Sequence, residues 1–308
     1  MPIPIFYVYL PGPLRDVERL VKVRGAKTYP SRGHLYLTTV SVDLDVTLLD
    51  WVTAAIDPQR TVVLRSQVAP GGSFHRLEKE QLALMRQSKE DATSLVLSRL
   101  GLGRPRGDGV KVTAVVPGAP ASGVLRRGDE IASIATQHVS TPCDVTRVLD
   151  RSKPGQEISL TLQRDGKTKA VRVRASDNPY KPGSAFLGIG MTGIRLRSDS
   201  RVHPQFHTGS IAGPSAGLMF ALALYDKLTP GDLTRGRPIA GTGTIDCAGK
   251  IGPIGGIEEK VAAAERKGAQ VFLAPAANAA AAGRVAHDMK IIAVSSFGDA
   301  LRDLRIER

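Results

Sequence analysis

The sequence predicts an α+β fold in which a smaller β-rich domain interrupts a larger mixed domain. Residues 35–42, Leu-Tyr-Leu-Thr-Thr-Val-Ser-Val, are rich in β-branched and aromatic side chains, as strands are. Late in the chain, two segments starting in glycine-rich turns at Gly213 and Gly255 carry apolar residues at three- and four-residue spacing, which predicts helices. Residues 103–174, between that strand and those helices, hold strand, turn and hairpin signals of their own. The predicted division is an N-terminal segment (1–30), a first part of the larger domain (31–102), the inserted domain (103–176) and the rest of the larger domain (177–308).

Residues 1–10 are mostly apolar, with Pro2 and Pro4, but fall short of the roughly 20 residues that span a bilayer and lack a basic leader. The chain as given is therefore expected to be soluble. A helix is expected over 78–100, with Leu82, Met85, Ala92, Leu95, Val96 and Leu100 on its apolar side. In the inserted block, a strand at 110–116 leads to Pro117-Gly118-Ala119-Pro120-Ala121 and then to a Gly128-Asp129 turn. A helix around 143–149 follows, then strands at 158–163 and 170–174 joined by the hairpin turn Asp165-Gly166. Residues 176–184, with two prolines and a glycine, form a linker. Beyond it come a strand at 186–196, a polar approach through His203 and His207, the two motif helices, strands at 271–274 and 291–294, and a helix at 297–304. The alanine-rich stretch 276–282 is assigned to a loop.

With 308 residues, 42% of them hydrophobic, the chain can bury two cores. A formal charge of +13 favours acidic partners or an anionic surface. The 42 Lys and Arg are scattered, however, and aromatics are only 5%, so a plain basic surface is expected and no nucleic-acid partner. Cys143 and Cys247 fall in different predicted domains, which argues against a disulfide framework. No metal site or cofactor is expected.

Chemistry concentrates at Gly213-Pro214-Ser215-Ala216-Gly217. Leu218, Met219, Leu222 and Tyr225 follow at helical spacing, so Ser215 stands near a helix start, where Pro214 is well tolerated. A hydroxyl there faces the positive helix end, which stabilises an alkoxide or oxyanion. Gly213, Pro214, Ala216 and Gly217 let a substrate backbone come close. The plainer alternative makes Ser215 only a helix cap. Lys260, in Pro253-Ile254-Gly255-Gly256-Ile257-Glu258-Glu259-Lys260, lies inside the stripe of Ile257, Val261 and Ala264 on a helix expected over 257–268, with Gly268 as its stop. An ammonium buried among alanines lowers its pKa, and the neutral amine can take a serine proton. The plainer alternative lets Lys260 snorkel to water.

Together these motifs resemble the proteolytic domain of the Lon family of Ser-Lys proteases (family S16). The resemblance implies Ser215 as nucleophile and Lys260 as general base. It also makes Thr244, in Gly241-Thr242-Gly243-Thr244, a supporting residue near the lysine, provided that the turn 246–249 is about two residues longer than usual. Ala212 departs from the pattern, since many Lon proteases carry an acidic residue there. Residues 103–174 resemble a PDZ domain of the bacterial protease type. Such domains capture extended peptides as an added strand, with residues 104–109 either the carboxylate loop or a glycine-rich linker. The whole resembles bacterial membrane-anchored Lon-like proteases that carry a PDZ domain, which implies an anchor upstream of residue 1, a cell-membrane location facing outside the cytoplasm, and room for an oligomer. No G-x-x-x-x-G-K-[ST] occurs, so the expected activity is ATP-independent serine endopeptidase action on unfolded or extended protein and peptide substrates, which the PDZ domain recruits or gates.

Two rivals stand beside this. Gly213–Gly217 also fits the G-x-S-x-G elbow of α/β-hydrolases, but residues 205–212 are too polar for the required strand, and His287 would serve alone as downstream histidine. A PDZ scaffold with an inactive protease half is the other; retention of both Ser215 and Lys260 argues against it.

Overall fold

The computed structural model describes residues 5–306 except 58, 69–73, 179–180 and 196. The chain forms two compact units, one drawing on both ends of the chain (up to Val96 and from Val202), the other running from Leu97 to Arg201.

The first unit is built on a five-stranded sheet in the order Arg15–Asp16, His34–Leu37, Pro238–Gly241, Val271–Pro275, Lys290–Val294. The last four strands run parallel. Parallel neighbours need crossovers, supplied here by helices Ile257–Arg266 and Ala276–Val285. Val271–Pro275 is buried throughout, as a central parallel strand should be. Helix Gly217–Leu228 is buried except at Tyr225 and Lys227, which explains its nearly unbroken apolar sequence. A second, antiparallel sheet joins Val40–Asp43, Phe6–Pro11 and Thr61–Leu64. Of the expected leading segment, Phe6–Pro11, Arg15–Asp16 and Val21–Arg24 are thus strands of the first unit.

The strand expected at 35–42 is two strands in different sheets, His34–Leu37 and Val40–Asp43. The chain changes sheet at Thr38-Thr39, where the Gly12 N–H donates to the Thr39 carbonyl and a Cβ on Gly12 would stand 2.4 Å from Thr39 Oγ1. The helix expected at 78–100 is Phe74–Arg99, with Met85, Ala92, Leu95 and Val96 buried but Leu82 exposed. Residues 276–282, assigned to a loop, belong to helix Ala276–Val285, because alanine has the highest helix propensity of all residues. The lysine helix ends where expected, with Gly268 left-handed at φ 76° just beyond it.

The second unit is an antiparallel sheet in the order Lys167–Arg174, Glu157–Arg164, Glu130–Ile134, Val110–Val115, Ile189–Gly193, with helix Pro142–Arg151. Its core gathers Val110, Val112, Ile131, Ile134, Ile158, Leu160 and Leu162. Asp165 and Gly166 make the hairpin turn with φ 53° and 73°, both left-handed, as a tight two-residue turn requires. This unit extends past the boundary expected at residue 176, because Ile189–Gly193 pairs with Val110–Val115 and completes the sheet. Neither cysteine is a free thiol; both are disulfide-bonded, contrary to the expectation. No helix among the described residues is long and apolar enough to cross a membrane.

Candidate active site

Gly213 adopts φ 91° and ψ 157°, backbone that side chains with a Cβ rarely reach. Pro214–Ala216 form a single 3-10 turn, and the α-helix starts only at Gly217. Ser215 therefore stands just ahead of the helix, not inside it. Helix Phe74–Arg99 clamps this turn from one side: the Gly213 N–H donates to the Gln81 carbonyl at 3.0 Å, and Ser88 Oγ donates to the Pro214 carbonyl at 3.1 Å. Gly217 is required by packing, since a Cβ there would lie 2.7 Å from Ser88 Oγ and 3.0 Å from the Ile245 backbone nitrogen.

Gly256, left-handed at φ 66°, turns the chain into helix Ile257–Arg266. Ile257, Val261 and Ala264 pack against Phe272, Ala274 and Ala282, and this fixes the helix face on which Lys260 lies. Lys260 is 4% exposed. Its Nζ is 3.0 Å from Ser215 Oγ and 3.2 Å from Thr242 Oγ1. The Thr242 hydroxyl donates to the Ser215 carbonyl at 3.1 Å, so toward Lys260 it can only accept. The Gly243 N–H donates to the same Ser215 carbonyl at 2.8 Å. One hydroxyl thus fixes the amine and the serine backbone together. Burial lowers the Lys260 pKa from 10.5 to about 8, opposed by the charge of Glu259.

Ser215 and Lys260 open onto a cleft of ≈ 870 Å³ with apolar walls that include Tyr9, Leu37, Met85 and Ile254. Gly213, Pro214 and Ala216, the residues expected to face substrate, line it. Gly217 does not; it faces Ser88 and Ile245. Ala212 lines the cleft as well and offers no carboxylate.

The threonine beside the lysine is Thr242 rather than Thr244. Thr244 also lines the cleft, but it pairs with Gly252 in the short hairpin Thr244–Ile245/Ile251–Gly252. Two threonines flank Gly243, and nothing in their spacing distinguishes them. What separates them is the Gly243 N–H bond to Ser215, which brings Thr242 alongside. His287 is 75% exposed at its side chain and bound to Glu265, with Nδ1 3.1 Å from Oε2, away from the cleft lining. The chain before Gly213 is strand His203–Phe206, paired with Val21–Arg24, and not the buried strand that a hydrolase elbow needs.

In the second unit, residues 104–109 are occupied by backbone pairing: Pro105–Arg106 with Arg197–Ser198, and the Asp108 N–H with the Ile194 carbonyl. The sheet ends at Ile189–Gly193, which has Val110–Val115 as its neighbour and no strand on its other side among the described residues. Helix Pro142–Arg151 lies beside that end strand.

The Ser215 hydroxyl and the buried Lys260 amine thus meet at one point of the cleft wall. Residues 192–306 match the family model of the Lon protease (S16) C-terminal proteolytic domain, and residues 81–174 that of a PDZ domain. The chain carries a Lon-type (S16) proteolytic domain together with a PDZ domain. Among curated proteins it is 28% identical over 285 residues to a Lon protease of Phenylobacterium zucineum, covering 88% of this chain and 34% of that protein. It is 34% identical over 137 residues to a Lon protease of Citrifermentans bemidjiense, covering 44% of this chain and 17% of that protein. The chain thus spans about a third or less of the length of these relatives. Among solved structures, the PDZ domain of an SdrC-like protein from Listeria monocytogenes is 23% identical, covering 27% of this chain and 87% of that one, with a TM-score of 0.26.

Proposed function

We propose that this chain is a serine endopeptidase in which Ser215 is the nucleophile, Lys260 the general base and Thr242 the group that orients the base. The observation that carries this is the 3.0 Å approach of a buried Lys260 Nζ to Ser215 Oγ. A neutral amine has one lone pair and two N–H bonds. With one N–H directed at Thr242, the lone pair is free to face the serine. Lys260 takes the Oγ proton as Oγ attacks the substrate carbonyl. The tetrahedral oxyanion forms near the positive end of helix Gly217–Leu228, and the new ammonium gives its proton to the leaving amine. Water then cleaves the acyl-enzyme, with Lys260 again the base.

The substrates are extended or locally unfolded protein segments, for which the ≈ 870 Å³ cleft leaves room; these 308 residues hold no Walker A loop of their own. The PDZ unit recruits them by adding a peptide strand along the open edge of Ile189–Gly193, beside helix Pro142–Arg151. A fluorogenic unstructured peptide tests the core of the reading: cleavage by the intact chain should vanish in Ser215→Ala and in Lys260→Ala while circular dichroism stays unchanged. Full activity in either variant would overturn it.

A further inference from the structure

Among the described residues, Arg15, Glu78 and Lys260 are the ones of charged type that line the cleft. Lys260 has its task in proton transfer. Glu78 stands on helix Phe74–Arg99, the element that clamps the serine turn. Arg15 comes from the five-stranded sheet instead, in strand Arg15–Asp16 and directly opposite Leu37. Residues directly opposite in an antiparallel pair project to the same side, and Leu37 is itself a cleft residue. The backbone around Arg15 is held at both ends. Ahead of it, the Gly12 N–H donates to the Thr39 carbonyl at 3.1 Å, and Thr39 Oγ1 donates to the Pro13 carbonyl at 2.9 Å. Behind it, Asp16 caps helix Val17–Leu20, whose Val17 is fully buried.

The fold gives the Arg15 guanidinium nothing to hold. Its neighbour Asp16 faces the other way, as alternation along a strand requires, and is taken by the Glu18 N–H, His34 and Arg19. Other exposed arginines of this unit close an ion pair, as Arg32 does with Asp232 and Arg302 with Asp299. The exposed Arg15 side chain has no hydrogen bond, ion pair or ring contact among the described residues. A guanidinium is a planar fork that meets a carboxylate with two parallel N–H bonds, so the group that completes Arg15 is an acid.

Leu37 pairs on its other side with Gly241, and Thr242, the partner of Lys260, comes next in the chain. Two strand spacings, about 10 Å, thus separate Arg15 from Gly241. An extended peptide advances about 3.3 Å per residue. We infer that Arg15 is a specificity-determining residue, which selects substrates carrying a Glu or Asp side chain about two to four residues from the cleaved bond. The inference rests on the Ser215–Lys260 reading, which fixes where the bond is cut. Glu78 repels a carboxylate, so an acidic side chain in this otherwise apolar cleft is directed to Arg15.

The test uses matched fluorogenic peptides with Glu, Gln or Lys at each of those positions, on either side of one cleavable bond. They are given to the intact chain, to Arg15→Met and to Arg15→Glu. At one position Glu should exceed Gln about tenfold in kcat/KM, and Lys should fall below Gln. The Glu-to-Gln ratio should drop to about one in Arg15→Met, and the order should reverse in Arg15→Glu, with Lys best. Each ratio is taken within one preparation, so a partial loss of folded protein leaves it unchanged. A ratio near one at every position, or a preference for Glu that persists in Arg15→Met, would overturn the inference. Binding of the same peptides to Ser215→Ala, read by fluorescence anisotropy, separates this outcome from a failure of the dyad. If cleavage proves independent of Ser215, the dyad reading fails, and the anisotropy ratio of Glu to Gln peptides, with and without Arg15→Met, still decides whether Arg15 selects an acid.

Discussion

Two lysines of the first unit sit on helices and are largely enclosed, yet their surroundings differ. Lys227 stands in the last turn of helix Gly217–Leu228, with Nζ 2.9 Å from Glu18 Oε2 and its side chain 20% exposed. A helix C-terminus favours a cation, and a carboxylate completes the pair. Lys260 stands in the first turn of its helix, where the backbone dipole opposes a cation, and its Nζ contacts two neutral hydroxyls. Residue type is the same; position within the helix and the choice of partner differ. The Lys227 region is an ion pair serving the fold, and the Lys260 region is suited to proton transfer.

Replacing each lysine by methionine should break this comparison open. Lys260→Met, like Ser215→Ala, should lower peptide cleavage by about 10⁴-fold or more, because nucleophile and base act as a unit. Its melting temperature should hold or rise, since an apolar side chain of similar size replaces a buried amine. Lys227→Met should do the reverse. It leaves Glu18 enclosed, with Oε1 already unpartnered among the described residues, and should cost about 2 kcal/mol of stability in urea unfolding, with kcat/KM little changed below the transition.

The two threonines sharpen the same point at a smaller scale. Thr242→Val removes the acceptor that orients Lys260 and the donor to the Ser215 carbonyl, and should lower kcat about 10- to 100-fold with KM nearly constant. Thr244→Val should change kcat by less than about threefold, as the hydroxyls that Nζ contacts among the described residues are those of Ser215 and Thr242. Smallest of all should be His287→Gln. With His287 bound to Glu265 on the surface, steady-state kinetics should be indistinguishable from those of the native chain.

Ser215 and Lys260 were legible because each combines a motif with a physical oddity: a hydroxyl at a glycine-flanked helix start, and a lysine inside an apolar stripe. The two helices and the parallel strands at 271–274 and 291–294 were readable from periodicity for the same reason, that burial writes itself into spacing. Three features were not. Thr242 and Thr244 are equivalent in sequence, and a long-range backbone bond from Gly243 to Ser215 chooses between them. Ile189–Gly193 belongs to the second unit although it follows a linker, because strand pairing across some 75 residues leaves no local signature. Gly217 was assigned to substrate contact on composition, whereas its lack of a side chain serves Ser88 and Ile245.

The central claim is that a buried, deprotonated Lys260 activates Ser215, and it is tested most directly by the pH dependence of fluorophosphonate labelling, with the modified residue mapped by mass spectrometry. This measurement needs no knowledge of the natural substrate. The expected result is modification at Ser215, at a rate that rises with a midpoint near the lowered lysine value of about 8 and is abolished in Lys260→Met. Labelling at another serine, or a rise near the imidazole value of about 6.5 that disappears in His287→Gln, would contradict the account.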